Sequence, residues 1–431
     1  MADDSKLIAL DQVKVGMFIK LDLGWFEHSF ATSAFKITNQ QQIQELLALN
    51  LKHIRYIPSK SDLAMIQAAS KPAAAPPPNP QMKVYGSIVE AKRARLEKLK
   101  QQREEIARCE EKFVHAASVV RNVGKTIFHS PAETLKEAGK LIDSIAEVFL
   151  NDNDMVMHLI QQAAGNEEVY FHALNVSVLA MMIAHEMKCS EEQVKAVGMA
   201  GLFHDLGKVE IPDSIIKKTE KLSKPEQHLF EMHPQYGKDI ALKAGMSEVV
   251  LEVIANHHEL MDGSGYPQKL KGDAISLPTR IVTIANVYDN LCNHLDPGMS
   301  LTPHEALSTM YAHRRAQFDP AILATMIKSL GVYPPGTLVR LSNEAIGLVV
   351  NVNVGKPLRP CVLVYDEEIP KEDAMIIDLS EESADLAVSS SIRAGSLPRV
   401  ILEYLNPRKR VNYYFDSSSN KKQAGPAQGR G

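Results

Sequence analysis

The sequence has no long hydrophobic run, little cysteine and no excess of positive charge. Its longest apolar stretch, near Val176–Ala184, falls far short of the roughly 20 residues a membrane-spanning helix needs, so no span is expected. The amino terminus, MADDSK, is acidic and no signal-like apolar core follows it, which argues against secretion. The four cysteines, Cys109, Cys189, Cys292 and Cys361, are far apart and form no CxxC pair. That argues against a disulfide scaffold and a thiolate zinc site, and for a reducing cytoplasm. A net charge of -4 leaves no global basic field to recruit a nucleic-acid polymer. No receiver, haem or flavin motif is recognisable.

What is present is ample material for a core. The 431 residues are 45% hydrophobic and 23% charged, near the average of globular proteins, and at roughly 100–200 residues per domain they suggest two to four structural units. Residues 1–66 read as a small α+β module: LIALDQVKVGMFIKLDL alternates as half-buried strands do, QQIQELLALNL has helical spacing, and HIRYIP reads as a returning strand. Residues 67–85 are an Ala/Pro-rich linker, because four prolines in five positions can continue neither helix nor central strand. Residues 86–130 form a highly charged connecting helix with a thin apolar stripe; it reads as a solvated helix, with residues 86–128 a candidate homodimer contact. Residues 131–345 are almost continuously helical. Ser190 with Gln193 and Thr302 with Glu305 make capping boxes, Asp319-Pro320 starts a helix, and Gly331 can end it. Residues 346–415 read as a small β appendage and 416–431, without large apolar residues, as a disordered tail. The fold class is therefore mainly α.

Histidine carries the chemical signal. Of 15 in the chain, seven lie between His172 and His258. His204 and Asp205 are adjacent at a helix end, where both side chains can converge on one point. His257 and His258 end a helix whose Val250, Val253 and Ile254 share a face with His257. Two buried imidazoles need partners, and a metal ion is a common one for clustered histidines. His172 follows Glu168 by four residues on one helical face, and His233 precedes Pro234. The gaps from His172 to His204, His233 and His257 are 32, 29 and 24 residues. Each suits one helix plus a loop, so packed helices can each aim one donor at a shared centre.

The segments His172, HDLGK (204–208), HP (233–234) and HHELMDGSGYP (257–267) resemble an HD-GYP domain, a branch of the HD phosphohydrolases, over roughly residues 140–345. The first segment is similar to a module of unknown function (DUF3391-like) found ahead of such domains. The resemblance implies a helical HD-GYP bundle binding two or three Fe or Mn ions. It implies hydrolysis of the second messenger c-di-GMP to pGpG and on to GMP by a metal-bridged hydroxide. It makes Glu168, His172, His204, Asp205, His233, His257, His258 and Asn286 the metal ligands. Asp205 is then the bridging carboxylate, and Lys208 the cation offsetting charge on the scissile phosphate. Gly265, Tyr266 and Asp289, with Lys208, are substrate-side residues. The GYP turn becomes a candidate contact for GGDEF or other signalling proteins.

Two departures stand out. Asn286 occupies a position where the family usually has a ligand Asp, and an amide oxygen brings no charge. The following segment, NHLDPGMSLTPHEAL, contains no Arg, where the family commonly has an Arg-rich substrate segment; Arg314 and Arg315 come later. These departures keep alive a second reading, a c-di-GMP sensor or interaction protein with little or no turnover, and a third, a phosphohydrolase for another cyclic dinucleotide.

Overall fold

The computed structural model describes residues 5–23, 28, 30, 33–49, 51–62, 66, 81–151, 155–159, 168–294, 296, 299–352, 356–367, 369, 371, 374–405 and 413–417; within these, the side chains of 81–99, 102–103, 105–106, 148–151, 155–159, 168–169 and 413–417 are not described. The chain forms two compact units. One gathers 1–104, 338–349 and 358–407; the other gathers 105–337, 350–357 and 408–431.

The first unit begins with an antiparallel sheet of β1 (Lys6–Ala9), β2 (Phe18–Lys20), β3 (Ala34–Lys36) and β4 (His53–Tyr56), in the order β1-β4-β2-β3. Alternation puts Ile19, Phe35 and Ile54 inward, where they meet Ile43 and Leu46 of α1 (Gln40–Ala48). Asn39 starts α1 by accepting from the Gln42 amide at 3.0 Å. This matches the α+β module read from the sequence. The linker expected at 67–85 lies outside the described residues up to position 80.

The same unit holds β6 (Leu338–Leu341), β8 (Cys361–Val364), β9 (Met375–Asp378), β10 (Val388–Ile392) and the start of β7 (Ile346–Val352). They pair in the order β10-β6-β7-β8-β9. The N-terminal sheet is joined to these later segments by polar contacts. Lys36 Nζ lies 3.3 Å from Glu344 Oε1, Asn39 Nδ2 donates to Asp385 Oδ2 at 2.7 Å, and the Ser33 amide donates to Asp366 Oδ2 at 3.4 Å.

The second unit is helical. It holds the latter part of α2 (Gln81–Thr126), then α3 (Pro131–Asn151), α4 (Glu168–Glu186) and α5 (Glu191–Phe203). After a 3-10 segment at Leu206–Glu210 come α6 (Asp213–Ile216), α7 (Lys224–Phe230), α8 (His233–Ala244) and α9 (Glu248–Asn256). The series closes with α10 (Leu277–Cys292), α11 (Pro303–Ala312) and α12 (Pro320–Leu330). Both capping boxes form, and Asp319 accepts from the first-turn amides of α12. The mainly α fold with small sheets toward both ends is present. Among the described residues no helix is long and apolar enough to cross a membrane.

Three sequence readings change. The connecting helix is not simply solvated. Cys109, Phe113, Ala116, Ala117, Val120 and Val123 are buried at helical spacing, and the Phe113 ring lies 5.5 Å from that of Phe171 on α4; the stripe looked thin because it uses small residues. The stretch 131–345 is interrupted by β5 (Met155–Leu159), which pairs antiparallel with β11 (Tyr413–Ser417) and with Asn351 and Val352. Residues 416 and 417, expected in a disordered tail, therefore end a strand, and 418–431 lie outside the described residues. A segment as short as MVMHL fits helix or strand equally, and a partner from the far end of the chain decides it.

Candidate metal centre

Local rules at helix ends aim the imidazoles. His204 and His257 are the C-terminal caps of α5 and α9, and His233 opens α8. Each points Nδ1 at the carbonyl three residues earlier: Gly201 at 2.7 Å, Phe230 at 2.7 Å and Ile254 at 2.8 Å, for His204, His233 and His257 in turn. A carbonyl only accepts, so Nδ1 carries the proton and Nε2 keeps its lone pair. His172, in the first turns of α4, is held differently, with Nδ1 2.6 Å from Asp289 Oδ2 on α10.

The free nitrogens converge. Nε2 of His172 and His204 are 3.1 Å apart, those of His233 and His257 are 3.3 Å apart, and those of His233 and His258 are 3.2 Å apart. Asp205 lies at the centre. Its Oδ2 is 3.5 Å from His172 Nε2 and 3.3 Å from His204 Nε2; its Oδ1 is 3.4 Å from His233 Nε2 and 3.7 Å from His257 Nε2. Donor atoms of Asp205, His233, His257 and His258 lie within 4.8 Å of one another, and so do those of His172, His204 and Asp205.

Lone pairs facing lone pairs across about 3 Å repel unless a cation lies among them. Asp205 Oδ1 is also buried and has no hydrogen-bond partner, which is costly for a carboxylate oxygen. Both features fit a donor set made for divalent metal. Electrostatics agrees. Burial pushes the Asp205 carboxyl up, but cationic surroundings, with the Lys208 ammonium against Oδ2, outweigh it and hold the group well below the usual carboxylate range. Burial lowers His204 and His258 and takes His257 to about 3. At neutral pH the aspartate is ionised and these imidazoles are neutral, which are the metal-binding forms.

Packing without side chains brings the pieces together. A Cβ at Gly207, two residues after Asp205, would strike the carbonyl of His233, so only glycine lets this segment lie against α8. Lys208 Nζ reaches back to Asp205 Oδ2 at 2.5 Å and lies 5.8 Å from the Phe230 ring centroid.

The loop after the histidine pair departs from its expected role. Gly265 is buried, and a Cβ there would strike the His258 carbonyl and the Leu260 amide; its bareness serves close packing. Tyr266 stacks on His258, centroids 4.5 Å apart at 18°. One face of the ring is thereby taken. Glu259, only 1% exposed, accepts from the amides of Gln268 at 2.6 Å and Leu270 at 2.9 Å. It pins the loop that carries Tyr266 and is a site-forming residue the motif reading passed over. Its signal was an acid directly between paired histidines and a Gly-rich turn.

Asp289 also departs from expectation. Rather than facing substrate it is 1% exposed, behind His172, with Oδ1 accepting from Asn175 Nδ2 at 2.8 Å and Asn293 Nδ2 at 2.9 Å. Asn286, one turn earlier, is buried, and its amide oxygen accepts from Asn290 Nδ2 at 2.6 Å. Glu168 opens α4, but its side chain lies outside the described residues. The turn carrying Arg314 and Arg315 is tied to the loop, the Met261 amide donating to the Gln317 carbonyl at 3.0 Å.

Comparison with known proteins sets this geometry in a family. Residues 153–322, which contain every histidine of the centre, match the model of the HD domain. The chain carries an HD domain over these residues. In this HD-domain protein, residues 5–138 match a domain of unknown function (DUF3391) and 338–391 a KOW domain associated with HD domain. It is 29% identical over 400 residues to the cyclic di-GMP phosphodiesterase PA4108 of Pseudomonas aeruginosa, covering 92% of this chain and 91% of that one. It is 33% identical over 196 residues to the cyclic di-GMP phosphodiesterase response regulator RpfG of Xanthomonas campestris pv. campestris, covering 44% and 51% of the two chains. It is also 33% identical over 170 residues to the 3'3'-cGAMP-specific phosphodiesterase 2 of Vibrio cholerae, covering 38% and 32%. Among solved structures, Bd1817, an HDG"Y"P protein from Bdellovibrio bacteriovorus, overlaps 75% of this chain and 98% of its own with a TM-score of 0.41 and 13% identity, a loose likeness. The HD domain and its His/Asp cluster together point to binding of divalent metal.

Proposed function

We propose that this HD-domain protein is a metal-dependent phosphodiesterase that hydrolyses c-di-GMP to pGpG and on to GMP, loaded with two or three Fe or Mn ions. The observation that carries the reading is the convergence of five imidazoles on Asp205. The near full-length similarity to a protein named a cyclic di-GMP phosphodiesterase supports the choice of substrate. When bound, divalent cations lower the pKa of water toward ~7 and take up charge on phosphoryl oxygens.

The residues supply the rest. Asp205 offers one oxygen to each donor group. His172 and His204 complete one group; His233, His257 and His258 complete the other. Lys208 stands beside Asp205 as the cation for a scissile phosphate, and Tyr266 walls the pocket over His258. Glu168 is assigned to a third cation, which would favour the second cut by anchoring the terminal phosphate of pGpG. Asn286 serves as a neutral ligand. The protein acts in the cytoplasm.

The test is direct. The protein is purified anaerobically with iron or manganese and assayed with c-di-GMP, pGpG and 3'3'-cGAMP. Release of pGpG and then GMP is expected, and His204→Ala or Asp205→Ala abolishes it. Turnover surviving the double replacement would reject the metal mechanism. The uncharged Asn286 favours one second reading, a c-di-GMP sensor, whose mark is tight nucleotide binding with no product.

A further inference from the structure

We propose that the two donor groups sharing Asp205 hold cations with unequal strength, and that Asp289 is the positioning residue on which the weaker one depends. This rests on the metal-dependent reading above. Among the described His, Cys, Asp and Glu side chains, one group gathers Asp205 with three imidazoles, His233, His257 and His258; the other gathers Asp205 with two, His172 and His204. With fewer imidazole donors a transition-metal cation is held less firmly.

The anchoring of the donors differs as well. His204, His233 and His257 are fixed through Nδ1 by carbonyls of their own local chain, anchors that no side-chain replacement removes. His172 depends on one side chain 117 positions away in sequence, Asp289, at 2.6 Å. That carboxylate is built to orient. Asn175 and Asn293 hold its other oxygen, and at 1% exposure it is closed to solvent. A carboxylate on the far nitrogen of a ligating histidine fixes the tautomer and ring orientation and raises ligand basicity. Losing such a partner costs about 10–100-fold in metal affinity. Asp289 thus acts through His172 without touching cation or substrate.

The experiment is calorimetric titration of the chelator-treated full chain with Mn2+ alone, with elemental analysis after desalting. The unaltered chain shows one tight event that survives desalting and one weak event that does not. Asp289→Ala weakens the second event by about 10–100-fold and leaves the first unchanged. Asp289→Asn keeps the shape, guards against a folding failure of the alanine variant, and weakens the same event less. Two events of equal strength in the unaltered chain, or variants that weaken both events alike or neither, would overturn the proposal. No Mn2+ uptake by the unaltered chain would overturn the metal-dependent reading beneath it.

Discussion

The donors around Asp205 divide into those placed by their own backbone and those placed by distant parts of the fold. His204, His233 and His257 bond to carbonyls three residues away. They point the right way as soon as their helix ends form. His172 waits for Asp289, and His258 is covered by Tyr266 on a loop that Glu259 pins. The first kind of donor is tolerant and local. The second is tunable, because one side-chain change far along the chain can move it.

The comparison can be broken in several ways. The largest effect belongs to Asp205, the one residue both groups share. Removing a single preorganised electrostatic group costs 10²–10³ in rate, so Asp205→Ala should lower turnover at least ~10³-fold and strip metal from both groups. Residual metal on elemental analysis would show that the groups do not depend on a common carboxylate. Next is Glu259→Ala. It leaves two part-buried backbone amides without their acceptor, at about 1 kcal/mol each. A fall of several degrees in melting temperature is expected, with His258 function lost before that of His204; a melt within a degree or so of the parent would mean the loop is held by something else.

A third effect is graded with pH. His204, His257 and His258 all have pKa values lowered from 6.5 by burial, His257 to about 3. The unfolded chain therefore binds protons that the folded chain refuses. Stability is complete above pH 6.5 and falls as pH drops from there toward the folded values, by up to about 1.4 kcal/mol per pH unit for each such histidine. Melting curves in chelator should shift down on acidification; a flat or rising profile would contradict buried neutral imidazoles. The smallest effect lies in the other unit. Lys36–Glu344 is partly exposed, so Lys36→Met should cost only about 0.2–1 kcal/mol, read by denaturant unfolding.

Much of the centre was legible because it is built from local rules. The histidine pairs, their helix-end positions and the capping boxes at Ser190 and Thr302 all follow from short-range patterns. The packing task of Gly265 was not legible, since a glycine that touches ligand and one that lets backbone pack look alike in sequence. Asp289 was misread for a related reason: nothing local distinguishes an acid facing substrate from one facing a histidine 117 residues away.

Residue order and chemistry alone determined the mainly helical class, the α+β start of the chain and the set of imidazoles able to bind metal, because helix ends, alternation and side-chain donors are properties of short segments. Packing alone decided that Phe113 and its neighbours are buried, that Met155–Leu159 is a strand beside Tyr413–Ser417, that residues 1–104 and 358–407 share one unit, and that Asp289 stands behind His172. Each of these joins residues far apart in sequence, and such a contact is chosen by the free energy of the whole fold rather than by any segment within it.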